Sequence, residues 1–467
     1  MLARDRGAPR DDSKQEPRPN YLAALLTFSK EHRCAVLTLL LLLICIIFQE
    51  VKGVQCPDGG LTSPCYTPLS EHLLMLPARL QTWASSASPV QRHACAPCGC
   101  AQWWGEEAVA SFAPFCIADE ELERLTGSVP PPDGAVAAAA AAAASQQLTS
   151  VEACYGLLAG LHATPHPTTP ASGSVSHAVY HVYWKPDTGQ FHIAHLAVLE
   201  AWLATQPESS VLVIWIPVPQ APPQRLLPLL RAFPTRLRIR ALDVLWEAEG
   251  SPLAGHFVLR LHDRLSWIDG DVSRLVVLWR YGGFYFDFDT LLLRDATPLL
   301  GVEFATEFGC LPPRLPNGAV LHVFKRGPTI TGLLRLASDT PPRLAMWTFG
   351  PWLLGRFAAL PAGHKPSGAG ALHFLPWCFY HGIWCGSLPR EGLIGRAPWD
   401  RQQLEAVYGV HMHGAGNKGE RIDIYSMLGT KMREHRATLE KRLKAQGKDS
   451  MHLDSLAAPP FRHWLWG

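Results

Sequence analysis

The sequence predicts an α/β fold with a mixed sheet flanked by helices, preceded by a transmembrane anchor and a Cys-rich stem. Residues 178–184 and 211–218 are apolar runs of strand length, and the second is as continuous as a strand buried on both faces. Residues 192–204 between them repeat apolar side chains at helical spacing. Repeated strand–helix units indicate an open, Rossmann-like sheet, which binds ligands beyond the carboxyl ends of its strands.

The anchor is predicted from residues 34–48, an uninterrupted apolar run that follows several basic residues. The run is shorter than the roughly 20 residues of a usual spanning helix, which suits the thinner membranes of the early secretory pathway. The positive flank predicts a cytosolic tail at 1–33 and a signal anchor at 34–50, with the rest of the chain lumenal. We therefore expect a single-pass type II protein of the Golgi membrane. A cleaved signal peptide and a buried core helix are the alternatives.

Composition and cysteine usage narrow the class of protein. The chain is 48% hydrophobic and 18% charged, with a formal net charge of +2, so no nucleic-acid partner is expected. Ten of the twelve cysteines follow the apolar run, which fits disulfides in an oxidising compartment. The cluster of Cys95, Cys98 and Cys100 is also compatible with zinc binding.

Low-complexity sequence separates two parts of the lumenal region. Residues 51–127 are interpreted as a Cys-rich stem module, and residues 128–176, which include an alanine tract, as a linker. The main globular domain is expected at 177–430, and a basic C-terminal helix and tail at 431–467. We interpret this helix as a packing helix, with membrane binding as the alternative.

Two further elements follow in the globular domain before its most informative segment. Residues 226–233 have helical spacing, and residues 237–242 alternate basic and apolar side chains like a half-exposed strand. Asp271 is then expected to N-cap a helix that ends near Tyr281. The Gly282-Gly283 pair supplies its C-terminal stop.

A strand with the sequence FYFDFD is predicted directly after these glycines. Its alternation places one set of side chains in the core and another on the opposite face, namely Phe284, Phe286 and Phe288 against Tyr285, Asp287 and Asp289. Two neighbouring carboxylates repel each other unless a cation joins them, and oxygen ligands favour Mn²⁺ or Mg²⁺. The alternative is an acid pair that ends a strand in solvent, near Arg294.

The motif around these acids resembles a known family. The run Asp271-x-x-Arg274, followed by Leu278-x-x-Tyr281-Gly282-Gly283-x-Tyr285-x-Asp287-x-Asp289, is similar to the D-x-D core of the α-1,4-glycosyltransferase and yeast initiating mannosyltransferase family (glycosyltransferase family 32-like). Further motifs resemble it in order: Gln206-Pro207, Asn317-Gly318-Ala319-Val320, Gly327-Pro328, Thr348-Phe349-Gly350-Pro351, and Val410-His411-Met412-His413 with Asn417-Lys418. The similarity covers residues 177–430 and implies a GT-A catalytic domain.

The resemblance implies a metal-dependent enzyme that moves a sugar from a nucleotide-sugar donor, with a UDP-sugar favoured, to a glycan, glycolipid or glycoprotein acceptor. Transfer would retain the α-linkage. Asp287 and Asp289 would be the catalytic acids and, with His411, the ligands of Mn²⁺ or Mg²⁺. The expected substrate-binding residues are Asp271, Arg274, Tyr285, Asn317, Glu307, His413, Asn417 and Lys418. Among them, Lys418 would hold the donor phosphates, and Glu307 and Asn317 would contact the acceptor.

Several of these expectations have alternatives. Asp271 and Arg274 also fit an N-cap and an i,i+3 salt bridge, and His411 fits a structural histidine. His413 stands where a tryptophan is common, so its loop also resembles the H-x-x-G-x-x-K loops of other metal-dependent, GT-A-fold retaining enzymes. The competing functions are a non-catalytic lumenal glycan-binding protein with a glycosyltransferase fold, and a metal-dependent phosphohydrolase. The latter needs more ligands for a two-metal site.

Overall fold

A mixed sheet lies at the centre of the computed structural model. The strands are β1 (Val179–Tyr183), β2 (Val211–Pro217), β3 (Leu237–Leu242), β4 (Gly283–Phe286), β5 (Thr290–Leu292), β6 (Phe304–Phe308), β7 (Leu315–Val323), β8 (His373–Leu375), β9 (Gly409–His411), β10 (Arg421–Ile422) and β11 (Trp464–Leu465). Seven of them form the main sheet in the order β3-β2-β1-β4-β7-β6-β8. The first four of these neighbours run parallel, and β7 is antiparallel to β4 and β6. The predicted mixed sheet is confirmed.

Helices surround this sheet. They are α1 (Glu106–Phe112), α2 (Asp119–Thr126), α3 (Val151–Ala163), α4 (Ile193–Thr205), α5 (Leu227–Ala232), α6 (Val244–Glu247), α7 (Trp267–Tyr281), α8 (Pro328–Ser338), α9 (Pro351–Ala359), α10 (Arg401–Ala406) and α11 (Met427–Ala445). One face of the sheet packs the rings of Phe284, Phe286 and Phe304 into a large apolar core. The other face, with Tyr285, Ala305 and Leu321, packs against α7, α8 and α9.

The structure describes residues 104–126, 139, 142, 150–163, 178–184, 191, 193–260, 267–308, 315–339, 348–361, 372–380, 401–412, 421–422, 426–448 and 464–465. All of them lie in one structural unit, Leu80–Gly467. No helix among these residues combines the length and apolar character needed to cross a membrane. The predicted anchor at 34–50 and the Cys95–Cys100 cluster lie outside the described residues.

The predicted strands and helices of the first half of the domain are confirmed, with one correction. The prediction that residues 237–242 form a half-exposed strand is wrong, because β3 is almost entirely buried. The Arg240 side chain is only 1% exposed and pairs with Glu247 at 3.0 Å and with Asp119 at 2.6 Å. A buried arginine is tolerated because both carboxylates compensate its charge.

The helices before β1 pack against this domain. Residue Ile117 donates its backbone N–H to the carbonyl of Ile239 in β3, and Leu122 of α2 is fully buried against the sheet. Helix α3 lies within the stretch predicted as a linker, and a disulfide joins its Cys154 to Cys378, with 6.1 Å between the Cα atoms. The predicted domain boundaries stay predictions, but residues 104–126 and 150–163 share the core of the described domain.

Helix α7 carries the residues that precede the acid pair. It begins at Trp267, so Asp271 lies inside the helix, and the prediction that Asp271 is its N-cap is wrong. The helix ends as predicted at two glycines with positive φ, +67° at Gly282 and +96° at Gly283. A Cβ at Gly283 would lie 2.5 Å from the carbonyl oxygen of Val179, so only glycine fits beside β1.

The C-terminal helix α11 packs on α4, which confirms the packing interpretation. Ser426 caps its first turn by accepting the N–H of Gly429 at 3.1 Å. Arg436 then pairs with the buried Glu200 of α4 at 2.6 Å. Arg442 donates to the carbonyl oxygen of Leu203 at 2.8 Å. These two arginines therefore stabilise the fold, because one neutralises a carboxylate of α4 and the other donates a hydrogen bond to a backbone carbonyl of α4.

Candidate active site

The acid pair lies in a turn between two strands. Strand β4 ends at Phe286, so the prediction that strand alternation extends to Asp289 is wrong. The N–H of Asp287 donates to the carbonyl of Ala319 at 2.7 Å, and the N–H of Thr290 donates to the carbonyl of Asp287 at 2.9 Å. The second bond closes a turn, and this turn brings the two carboxylates to the same side of the sheet edge.

His411 reaches this turn through a second small sheet. Strand β9 pairs antiparallel with β5, and His411 stands opposite Thr290. The N–H of His411 donates to the carbonyl of Tyr380 at 2.8 Å, and the N–H of Met412 donates to the carbonyl of Asp289 at 2.9 Å. The backbone of His411 is therefore held on two sides, which fixes the imidazole beside the acids.

The three predicted metal ligands meet in the structure. Nε2 of His411 lies 3.1 Å from Oδ1 of Asp289 and 4.0 Å from Oδ2 of Asp287. One ligand atom from each residue lies within 4.8 Å of the others. The acids are 30% and 24% exposed, and the imidazole is buried. Two carboxylates and an imidazole suit a divalent cation such as Mn²⁺, and the acids are open to it from solvent.

The electrostatics of the cluster are those of a site with excess negative charge. Burial raises the pKa of Asp287, against the opposing charge of Arg274. Burial alone would lower the pKa of His411, but the charge and hydrogen bond of Asp289 and the charge of Asp287 outweigh it and raise that pKa. The negative charge of the two acids thus favours the protonated form of His411. A divalent cation compensates the same negative charge more fully than a single proton does.

Arg274 connects the acid pair to α7. Its Nη2 donates to Oδ1 of Asp287 at 2.7 Å and its Nη1 to Oδ1 of Asp271 at 2.8 Å. The guanidinium lies over the ring of Tyr285, 4.8 Å from the ring centroid. The i,i+3 salt bridge weighed in the sequence analysis is present. Tyr285 is only 2% exposed, and its ring supports the guanidinium; its contact with substrate stays a prediction.

Two glycines make room for this chain of side chains. A Cβ at Gly318 would overlap Nη1 of Arg274, and a Cβ at Gly350 would lie 2.7 Å from Oδ2 of Asp271. Gly318 belongs to the predicted N-G-x-x motif, and Gly350 to the T-F-G-P motif. In both motifs, therefore, the glycine lets the backbone come close to the ionic side chains of α7.

The remaining predicted residues divide into two groups. Oδ1 of Asn317 accepts the N–H of Ala319 at 2.6 Å, and half-buried Glu307 stands at the end of β6 opposite Pro316. The predicted His413, Asn417 and Lys418 lie outside the described residues. Tyr380, whose backbone carbonyl accepts the N–H of His411, was not predicted from the sequence. Any residue type has a backbone carbonyl, so its side chain does not indicate this role.

Comparisons with known proteins agree with this site. The family model described as "Glycosyltransferase sugar-binding region containing DXD motif" matches residues 244–304. The lactosylceramide 4-alpha-galactosyltransferase of Rattus norvegicus is 34% identical over 262 residues, which cover 49% of this chain and 65% of that protein. The Pan troglodytes protein of the same name is 28% identical over 276 residues, covering 56% and 75%. The chain thus spans slightly less than two thirds of the Rattus norvegicus relative.

Two glycosyltransferases are among the solved structures with some likeness to this chain. The apo structure of WbbM, a bifunctional glycosyltransferase, has a TM-score of 0.35 at 12% identity and covers 61% of this chain and 53% of that one. The galactosyltransferase LgtC, in complex with donor and acceptor sugar analogs, has a TM-score of 0.29 at 12% identity and covers 57% and 99%. Residues 244–304 are thus similar to glycosyltransferase sugar-binding regions that contain a DXD motif, and the sequence relatives match about half of this chain.

Proposed function

We propose that this chain transfers a hexose from a nucleotide sugar to the terminal sugar of a glycan or glycolipid, in a metal-dependent reaction that retains the α-linkage. The observation that carries the proposal is the convergence of Asp287, Asp289 and His411 from two distant parts of the chain. The names of the sequence relatives favour UDP-galactose as the donor and a lactosyl group as the acceptor.

The residues present fit Mn²⁺ or Mg²⁺. Asp289 and His411 would hold the cation directly, and Asp287 would offer it Oδ2, since its Oδ1 is engaged by Arg274. When bound there, a divalent cation supplies Lewis-acid stabilisation of the negative charge on a departing nucleoside diphosphate.

The chain's own residues would set the geometry of the donor. Arg274 fixes the orientation of Asp287, and Asp271 fixes Arg274 in turn. Such a network keeps the carboxylate of Asp287 in place before the donor arrives, so little reorganisation is needed in the transition state. Asp271 and Arg274 are also proposed to meet polar groups of a donor sugar, and Lys418 with its neighbouring backbone amides is proposed for the phosphates.

We also propose a Golgi location for the enzyme, as a single-pass type II membrane protein with its catalytic part in the lumen. The apolar run at 34–48 and its basic flank support this topology. The disulfide between Cys154 and Cys378 agrees with an oxidising compartment.

The test uses the full chain and a panel of nucleotide sugars with and without Mn²⁺. Release of the nucleoside diphosphate from one donor, dependent on the metal, is the expected result. An NMR spectrum of the product then reports whether the new linkage is α. Binding of sugars without any metal-dependent turnover would replace the proposal with a non-catalytic glycan-binding protein.

A further inference from the structure

Trp352 is a large apolar side chain that the fold leaves in solvent. Its side chain is 59% exposed, the highest exposure among the large hydrophobic residues of the part of the chain that the structure describes. It is the second residue of α9, whose core-facing side chains are Leu353, Leu354 and Phe357. Because helical positions repeat every 3.6 residues, Trp352 lies on the outward side, away from these three. Because an indole combines an apolar face with a polar N–H, tryptophan is enriched at binding interfaces.

The side of α9 that carries Gly355 lies near the end of β7. A Cβ at Gly355, which shares the face of Trp352, would lie 3.8 Å from Cδ of Pro316. Glu307 in β6 stands directly opposite Pro316 in the antiparallel pair. Opposite side chains in such a pair point to the same face of the sheet. Half-buried Glu307 is therefore on the α9 side of the sheet, beside the buried Pro316.

The backbone that precedes Trp352 lies beside the ionic network of the acid cluster. A Cβ at Gly350, two residues before Trp352, would lie 2.7 Å from Oδ2 of Asp271. From Asp271 the chain of ionic contacts runs through Arg274 to Asp287. Trp352 thus follows, by two residues, the backbone that adjoins Asp271, and the other end of this row of ionic groups is the candidate metal site.

We propose that Trp352 and Glu307 form the subsite for the terminal hexose of the acceptor. The indole offers a flat apolar face to the C–H face of the sugar, and the carboxylate of Glu307 accepts a hydrogen bond from a hydroxyl group. The inference rests on the proposed function, because it assigns the acceptor for that reaction. It commits to a saccharide, not to the lipid surface in which a glycolipid acceptor would be embedded.

The test compares Trp352→Ala, Trp352→Phe and Glu307→Gln in the full chain, with methyl β-lactoside as a soluble acceptor and UDP-galactose as donor. Trp352→Ala should raise the KM for methyl β-lactoside about tenfold more than the KM for UDP-galactose, with partial rescue by phenylalanine. Glu307→Gln should show a smaller change in the same direction. Phe324→Ala is the matched control, since Phe324 is also exposed but follows the opposite end of β7. It should leave both constants unchanged.

Saturation-transfer NMR of methyl β-lactoside, with Mn²⁺ and UDP present, measures acceptor binding without turnover. Binding by the wild type that Trp352→Ala abolishes supports the subsite, even if no transfer occurs and the proposed function fails. Equal binding by wild type and Trp352→Ala overturns the subsite, and so does absence of wild-type binding. A loss confined to lactosylceramide in vesicles, with methyl β-lactoside unaffected, also overturns it and assigns Trp352 to the membrane surface.

Discussion

Oδ1 of Asp289 lies 3.1 Å from Nε2 of His411, although the two residues belong to distant parts of the sequence. The contact depends on the pairing of β5 with β9, which sets His411 opposite Thr290. The carbonyl of Asp289 also accepts the N–H of Met412, so the backbones are joined beside the side chains. The position of the imidazole relative to the acids is therefore a property of the sheet and not of a flexible loop.

Replacement of one ligand should weaken metal binding. Asp289→Asn is expected to weaken Mn²⁺ binding and to lower metal-dependent donor hydrolysis by about 100-fold or more, because several kcal/mol of charge stabilisation are lost. Isothermal titration calorimetry measures the first effect and release of the nucleoside diphosphate the second. Asp339→Asn, at an exposed aspartate that ends α8, is the matched control and should behave like the wild type. Wild-type Mn²⁺ affinity in Asp289→Asn would remove this residue from the metal site.

A methyl group beside Arg274 should disturb the acids without touching them. In Gly318→Ala the new Cβ overlaps Nη1 of Arg274, so the guanidinium must move away from Asp287. We expect a loss of activity of about tenfold to 100-fold, since small displacements in an active site are costly. Gly160→Ala is the matched control, because no heavy atom lies within 4 Å of its new Cβ in α3. The control should keep full activity and gain about 0.5–1 kcal/mol of stability. Equal activity of the two variants would contradict the role given to Arg274.

The disulfide should stabilise the part of the fold that holds His411. Cys378 lies in the short turn Trp377–Phe379, directly before Tyr380, whose carbonyl binds the N–H of His411. The double variant Cys154→Ala/Cys378→Ala should lose about 2–5 kcal/mol of unfolding free energy, measured by chemical denaturation. Peptide mapping of the unreduced wild type should recover the linked Cys154 and Cys378 peptides. Recovery of either cysteine in a different pair would contradict the structure.

Acid should destabilise the protein through a buried histidine in β7. Burial lowers the pKa of His322 from 6.5 to about 4, although its bond to the carbonyl of Val302 opposes the shift. The folded state therefore binds fewer protons than the unfolded state between these pH values. Its contribution to stability is fully present above pH 6.5 and is lost as the pH falls towards 4, by about 3 kcal/mol in total.

The measurement is the unfolding free energy as a function of pH for wild type and His322→Phe. The variant should lose stability less steeply between pH 6.5 and 4. Some slope should remain, because burial also lowers the pKa values of His181 and His435 to about 4. Identical slopes in the two proteins would show that His322 does not contribute to the acid sensitivity.

The local sequence was sufficient to predict those elements whose pattern depends only on neighbouring residues. The apolar runs of β1 and β2 have the length and composition of buried strands, and Gly282-Gly283 marks the end of α7 because other residues rarely adopt positive φ. The two acids were enough to predict a divalent metal site, whereas His411 was added to it through the resemblance of its motif to a known family. These features depend on side-chain chemistry and on neighbours within a few residues, which a single sequence displays directly.

Other features were decided by tertiary contacts. Arg240 is buried because Asp119 and Glu247 compensate its charge, and no periodicity within β3 indicates that. Asp289 faces His411 through a turn and a second sheet, not through strand alternation. The pairing of Cys154 with Cys378 and the exposure of Trp352 likewise depend on which segments meet in space. The physical reason is that burial, charge compensation and hydrogen-bond partners come from residues distant in the chain, whereas the sequence displays only the chemistry available to them.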